Sequence, residues 1–179
     1  MANHLYLCLV TVLACGGSSR GQGTNEGTLL GKPFTPVDAL STMDDGSARL
    51  DFAHIQISDT PASCSSLQQG APAMCAGVLT IELTDFDPAT RTSTVPAQPG
   101  TYTVIGVFFG VDIPPKPATA TFVRPDANCP PDGMSPATFA ESGTITLTRI
   151  DGGSFSGTYD MLMKSGEHVT GSFSTLSCK

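Results

Sequence analysis

Segment 77–86 (GVLTIELTDF) alternates apolar and polar side chains with a period of two. Leu79, Ile81 and Leu83 face one way, and Thr80, Glu82 and Thr84 the other. That is the pattern of a strand with one buried face. Comparable runs, rich in β-branched residues and bounded by turn residues, recur at 28–37, 48–58, 101–111, 118–123, 143–150, 154–163 and 169–176. In 101–111 the alternation places Thr103, Ile105, Val107 and Phe109 on one side. No stretch sustains a 3.6-residue apolar period. The one helix the sequence suggests is short, at 135–141 (SPATFAE), where Ser135 supplies an N-cap and Pro136 a first helical position. About eight short strands at this spacing predict an all-β chain, an antiparallel sandwich or barrel with at most one short helix.

The C-terminal runs predict a register as well as strands. With Ser165-Gly166-Glu167 as a three-residue turn, Met163 faces Val169, Met161 faces Gly171 and Tyr159 faces Phe173. All six then lie on one side of the pair. A two-residue turn would split this set between the two faces, so the three-residue turn is preferred. Asp151-Gly152-Gly153 joins the hairpin to 143–150, making a three-strand meander whose outward row is Thr144, Thr146 and Thr148.

Composition agrees with strands and turns. Of the 179 residues 19 are Gly and 14 Pro, and 14% are charged. A length of 179 suits one domain. The net charge of −7 comes without a Lys/Arg cluster, so nothing here would neutralise a nucleic-acid backbone. Nucleic acid is not an expected partner.

The N-terminus carries a different signal. Residues 5–14 are an apolar run too short for a bilayer-spanning helix and suited to a signal-peptide core. It ends Val12-Leu13-Ala14-Cys15, followed by Gly16-Gly17-Ser18-Ser19. This stretch resembles the lipobox of bacterial lipoproteins: an aliphatic residue, a variable one, a small one, then cysteine. The resemblance implies cleavage after residue 14, a diacylglycerol on the Cys15 sulfur and acylation of the new amine. It implies a membrane-lipid partner through Cys15. With Gly16 rather than Asp in second place, the implied address is the outer membrane. Segment 16–27 (GGSSRGQGTNEG) then reads as a flexible tether and 28–179 as the domain. The pattern from Gly143 to Gly157 (GTITLTRIDGGSFSG) is loosely similar to small β-rich secreted lipoproteins, a likeness that implies no activity.

With Cys8 removed in the leader and Cys15 acylated, Cys64, Cys75, Cys129 and Cys178 remain. Four cysteines in an oxidising compartment predict two disulfides, with three connectivities open. Cys64–Cys75 would close a short polar loop, whereas Cys64–Cys178 would tie the C-terminus to the early sheet. The absence of a C-x-x-C spacing argues against zinc.

Few residues suggest catalysis. His54, in the alternating run FAHIQI, has the chemistry of a general base toward a serine, and equally that of a half-exposed strand residue. His168 follows a turn. There is no G-x-S-x-G elbow, and Lys164-Ser165-Gly166 lacks a companion S-x-x-K. Asp44-Asp45-Gly46 and the pair Asp85 and Asp87 offer oxygen ligands for calcium, but neither completes an EF-hand loop, and both suit turns. Pro114-Pro115-Lys116-Pro117 reads as a stiff connection. The expectation is a non-catalytic, lipid-anchored envelope protein with a β-rich binding or structural domain and no cofactor. It would engage envelope proteins or a small ligand. The alternatives are an inhibitor or small-ligand module, and a hydrolase using His54.

Overall fold

The computed structural model describes residues 20–44, 51–68, 75–106, 113–125 and 136–179. Along them run β1 (Gln22–Glu26), β2 (Thr28–Leu29), β3 (Lys32–Pro33), β4 (Asp38–Asp44), β5 (Phe52–Ser58), α1 (Cys64–Gln68), β6 (Val78–Leu83), β7 (Asp85–Asp87), β8 (Thr92–Thr94), β9 (Gly100–Val104), β10 (Pro117–Val123), β11 (Ala137–Asp151), β12 (Ser154–Met163), β13 (His168–Ser174) and β14 (Leu176–Ser177). The all-β expectation holds, but the eight strands and two-layer sandwich do not. Ten strands form a single curled sheet in the order β1-β13-β12-β11-β9-β10-β6-β5-β4-β14, and β2-β3 and β7-β8 form two small hairpins. Two neighbouring pairs, β9–β10 and β4–β14, are parallel.

The curl brings the ends of the sheet together. Only Thr175 separates β13 from β14, yet β14 lies at one edge of the sheet and β13 is one strand from the other. Thr175 is the seam. Its hydroxyl accepts a hydrogen bond from the Phe155 amide at 2.8 Å and shares one with Ser41 Oγ at 2.7 Å. Ser41 Oγ in turn lies 2.8 Å from the Gly153 carbonyl oxygen. Beside the seam a Cβ on Gly21 would fall 1.7 Å from the Ala39 carbonyl oxygen, so only glycine lets the chain enter β1 this close to β4.

Inside the curl one hydrophobic cluster joins almost every strand. The predicted set Leu79, Ile81 and Leu83 is fully buried, as are Ile55, Ile57, Tyr102, Phe122, Ile145, Leu147 and Phe155. Outside it, Thr144 and Thr148 are exposed and Thr146 half-buried, as the meander pattern requires.

Four local expectations need correction. Segment 137–141 is strand, not helix. Thr138 and Ala140 alternate into the core, and β11 is flanked there by β10 and β12. Two ladders of interstrand hydrogen bonds outweigh a helix too short to repay its own nucleation. The helix that does form is α1, where the Ser63 hydroxyl accepts the Ser66 amide at 3.2 Å as an N-cap.

In β9 the inward residues are Tyr102 and Val104, not Thr103 and Ile105. Tyr102 stands opposite Ile145, so the two share a face, and Ile145 belongs to the core. Val107 and Phe109 lie outside the described residues. In the C-terminal hairpin, Met161 pairs with Val169, Tyr159 with Gly171 and Gly157 with Phe173. The register is two residues from the expected one because the loop is longer, closed by the Met163 amide on the Glu167 carbonyl at 2.8 Å. A slip of two preserves sidedness, so Tyr159, Met161, Met163, Val169 and Phe173 are all still buried.

The fourth correction moves the start of the domain. Gln22–Glu26, read above as tether, pair along their whole length with β13 as β1. Backbone pairing does not require apolar side chains, and this strand lies at the sheet edge, where polar residues are favoured. Segment 28–37 likewise forms no long strand; it folds into the β2-β3 hairpin, and β4 follows.

Candidate functional site

Cys15 and Cys129 lie outside the described residues. Cys64 and Cys178 are joined by a disulfide with their Cα atoms 5.2 Å apart. It ties the start of α1 to the end of the chain, where the Cys178 amide donates to the Ser41 carbonyl at 2.7 Å. Cys75 is also disulfide-bonded.

His54 projects from β5 on the outer, half-exposed face of the sheet. The register aligns it with Thr42 on β4 and Glu82 on β6, and Glu82 with Thr119 on β10. His54 Nδ1 lies 3.5 Å from Glu82 Oε1, and both side chains are about a third exposed. The Thr119 hydroxyl donates to the other oxygen, Glu82 Oε2, at 3.1 Å. The row therefore holds an imidazole beside a carboxylate. Among the described residues no hydroxyl is hydrogen-bonded to that imidazole, so the arrangement shows a base and its orienting acid without a nucleophile. His168 is more exposed still, with Nε2 2.7 Å from Asp160 Oδ1. An exposed pair of this kind contributes about 0–1 kcal/mol.

The acidic pair Asp85 and Asp87 is occupied by other contacts. Asp85 accepts the Tyr102 hydroxyl at 2.9 Å and lies 3.7 Å from Lys116 Nζ. The Lys116 ammonium also sits 5.1 Å from the centre of the Tyr102 ring. Burial, and then the neighbouring Asp85 carboxylate, push the Tyr102 hydroxyl well above its usual pKa. Asp87 accepts the Ala89 amide and the Thr90 hydroxyl at 2.8 and 2.9 Å, which hold its carboxyl below the usual range. Among the described residues no three His, Cys, Asp or Glu side chains are grouped to hold a metal ion. Lys116, in the proline-rich stretch, is thus part of a half-exposed polar knot over the buried Tyr102 ring that fixes β7 against β9.

Two residues that the sequence reading did not single out hold one end of the curl. The β2-β3 hairpin lays Leu29 and Phe34 over the core, both buried, with Phe34 edge-on to Phe122 at 5.1 Å. Burial of each is worth about 1.5–3 kcal/mol. On one side Glu167 accepts hydrogen bonds from the Leu30 and Gly31 amides and the Thr28 and Ser165 hydroxyls. On the other side the Arg124 guanidinium donates to the carbonyls of Leu29, Lys32 and Pro33 at 2.9–3.4 Å and lies 3.9 Å from Asp59. Partial burial works to raise the Glu167 pKa, but the hydrogen bonds from Ser165, Gly31, Leu30 and Thr28 outweigh it and hold the carboxyl below its usual value. A carboxyl depressed on folding stabilises above its unfolded pKa, and that stabilisation is lost as pH falls through the folded value. In an amide NMR titration, the Leu30 and Gly31 signals are expected to shift with a midpoint below the ordinary glutamate value. Glu167→Gln should abolish that transition. A midpoint at or above the ordinary value would remove the clamp assignment.

Comparison with family models, with curated proteins and with solved structures finds no match to this chain.

Proposed function

We propose that this chain is a lipoprotein of the bacterial cell envelope, held at the membrane by acyl chains on Cys15 and acting through a non-catalytic β domain in binding or structural support. The observation that carries the reading is Val12-Leu13-Ala14-Cys15 at the end of a ten-residue apolar run, followed by small polar residues. Several chains buried at ~0.8 kcal/mol per methylene anchor stably where one does not. The long-range disulfide supports an oxidising compartment, since such bonds persist outside the cytosol. The outer membrane is the proposed address.

A non-catalytic role is supported by the way the polar groups are used. Among the described residues no buried side-chain nitrogen or oxygen lacks a hydrogen-bond partner. Such groups stitch the fold rather than wait on a substrate. A hydrolase using His54 would need a nucleophile brought to the outer face beside Glu82. A small-ligand module would need an opening into the core, and at one end of the curl Leu29 and Phe34 fill that position.

The test is Cys15→Ser in the native host. The parent protein should partition with the envelope membranes and carry a mass consistent with cleavage before Cys15 plus a diacylglycerol and a fatty acyl chain. The variant should lose the added mass and leave the membrane fraction. Unchanged fractionation and a native mass that retains residues 1–14 would overturn the reading.

A further inference from the structure

We infer that the β2-β3 hairpin is an acid-sensitive flap: a proton on Glu167 loosens its turn, and the hairpin lifts off the end of the core, taking Leu29 and Phe34 with it. This stands apart from the anchor and holds whether or not Cys15 is acylated.

The hairpin does not fix its own position. It has two residue pairs, Thr28 with Pro33 and Leu29 with Lys32. A two-stranded ribbon that short is marginal at best in water. Its turn, Leu30-Gly31, has positive φ at both residues, 54° and 71°. Glycine adopts that conformation freely, but leucine is strained in it. The surroundings must therefore impose the turn.

Glu167 does so. The Gly31 amide and the Thr28 hydroxyl donate to Oε1, and the Leu30 amide at 3.1 Å and the Ser165 hydroxyl at 2.6 Å donate to Oε2. Successive amides converging on one group make a concave anion seat. All four partners act as donors, so the arrangement fits a carboxylate and not a carboxylic acid. Whichever oxygen takes a proton, one turn amide faces it, and an amide N–H cannot accept from an O–H. The contact that imposes the strained turn is thus the one that acid weakens.

The other holds on the flap do not respond this way. Leu29 and Phe34 carry no charge, and Arg124, on the opposite side, stays protonated. Of the charged groups nearby, Lys164 rests on the Phe139 ring at 4.9 Å, His168 pairs with Asp160 and Arg124 with Asp59, while Lys32 and Glu26 are exposed. Among the described residues none of them is ion-paired with Glu167, so the flap follows that single carboxyl. The hydrogen bonds it accepts hold it below its usual range. Closure is therefore strongest above the ordinary glutamate value and weakens as pH falls through the lowered one. Opening becomes about tenfold more frequent for each pKa unit of that lowering. Leu29 and Phe34 still draw the flap back, so acid raises the frequency of opening without unfolding the sheet. Apolar surface around Phe122, which Phe34 covers edge-on, is concealed at neutral pH and intermittently bared in acid.

Two measurements on the full chain test the flap. Amide exchange, corrected for its intrinsic pH dependence, reads opening at Leu30 and Gly31. The dye anilinonaphthalene sulfonate reads bared apolar surface. Between neutral pH and pH below the ordinary glutamate value, opening at the two amides is expected to rise about tenfold and dye fluorescence at least about twofold. Both should reverse on neutralisation, with protection in β12 unchanged. Glu167→Gln, which cannot become an oxyanion, should show the acid behaviour already at neutral pH, where acid has no direct effect on the dye. Ser165→Ala removes one donor to the carboxylate and should move the midpoint upward, which keeps the test decisive if the glutamine variant does not fold. Equal protection of Leu30 and Gly31 in acid and at neutral pH would overturn the flap. So would amides that open without dye binding, β12 opening together with the hairpin, or a pH response that persists in Glu167→Gln.

Discussion

Replacing both Cys64 and Cys178 with alanine is expected to lower unfolding stability by about 4–5 kcal/mol and the melting temperature by roughly 10–20 °C. The bond links residues 114 apart, nearly two thirds of the chain. In the chain-entropy account a closed loop of that length restricts the unfolded ensemble heavily. The native-state consequence is local. Cys178 follows β14, the shortest partner in the large sheet, which pairs with β4 through Leu176 and Ser177 alone. Two paired residues at a sheet edge do not hold themselves against fraying; the disulfide holds them, with the Cys178 amide on the Ser41 carbonyl. The double alanine variant is the right comparison, because a reductant would also attack the bond at Cys75. Denaturant unfolding measures the stability, and amide exchange at Leu176 and Ser177 should quicken even well below the transition. A variant within about 1 kcal/mol of the parent would show that the seam closes without the bond, through Ser41, Thr175 and the core beneath them.

Alternation was legible wherever a strand buries one face and bathes the other. In 77–86 the inward set Leu79, Ile81 and Leu83 was legible at once, although Thr84 on the other face is buried too and 85–86 belong to β7; the outward threonine row of the meander from Gly143 was legible as well. The rule failed in two physically distinct ways. In β9 both faces carry side chains able to pack, and the choice fell to the neighbouring strand: Tyr102 had to follow Ile145. In β11 two register shifts, after Ala140 and after Leu147, reset the parity along fifteen residues. A bulge leaves no apolar signature in sequence. β1 was missed for another reason, because QGTNE has the composition of a linker and becomes a strand only when β13 offers it a ladder. The clamp was illegible for a related reason. Glu167 and the hairpin it holds are 136–139 residues apart, and Arg124 lies 91–95 from its carbonyl partners. No local pattern marks a carboxylate that will satisfy backbone amides so far away. Of the site residues, the pairing of Cys64 with Cys178 was among the connectivities the cysteine count allowed, and the carboxylate facing His54 emerged only from the register of β5 against β6.

The same register makes Gly171→Ala a strongly damaging substitution in the C-terminal half. Gly171 on β13 sits opposite Tyr159 on β12 and Asn25 on β1. Its missing side chain is replaced by the Tyr159 ring, which lies across the glycine. A Cβ there would fall 2.2 Å from the Thr24 carbonyl oxygen and 2.4 Å from Tyr159 Cζ. An aromatic covering a cross-strand glycine compensates for the weak packing and loose backbone that glycine brings to a strand. Here the ring also extends its hydroxyl past the glycine, donating to the Thr24 carbonyl at 2.8 Å and meeting Asn25 Oδ1 at 3.0 Å. Tyr159 thus holds β1 to the sheet through the space that Gly171 leaves open. Alanine must move either the ring, which is buried in the core, or the backbone of β1. Overpacking of this kind costs about 1–3 kcal/mol, and loss of the buried tyrosine hydrogen bond adds about 1. Since β1 is an edge strand with few side-chain contacts of its own, the strain is expected to be relieved there. Amide exchange should then report loss of protection over residues 22–26, while β11 and β12 stay protected. Tyr159→Phe separates the two contributions: it keeps the ring over Gly171 and removes the hydroxyl, so it should cost only about 1 kcal/mol and leave β1 docked but looser. If Gly171→Ala proved as stable as the parent, or melted β12 before β1, the ring over the glycine would not be what fastens the first strand.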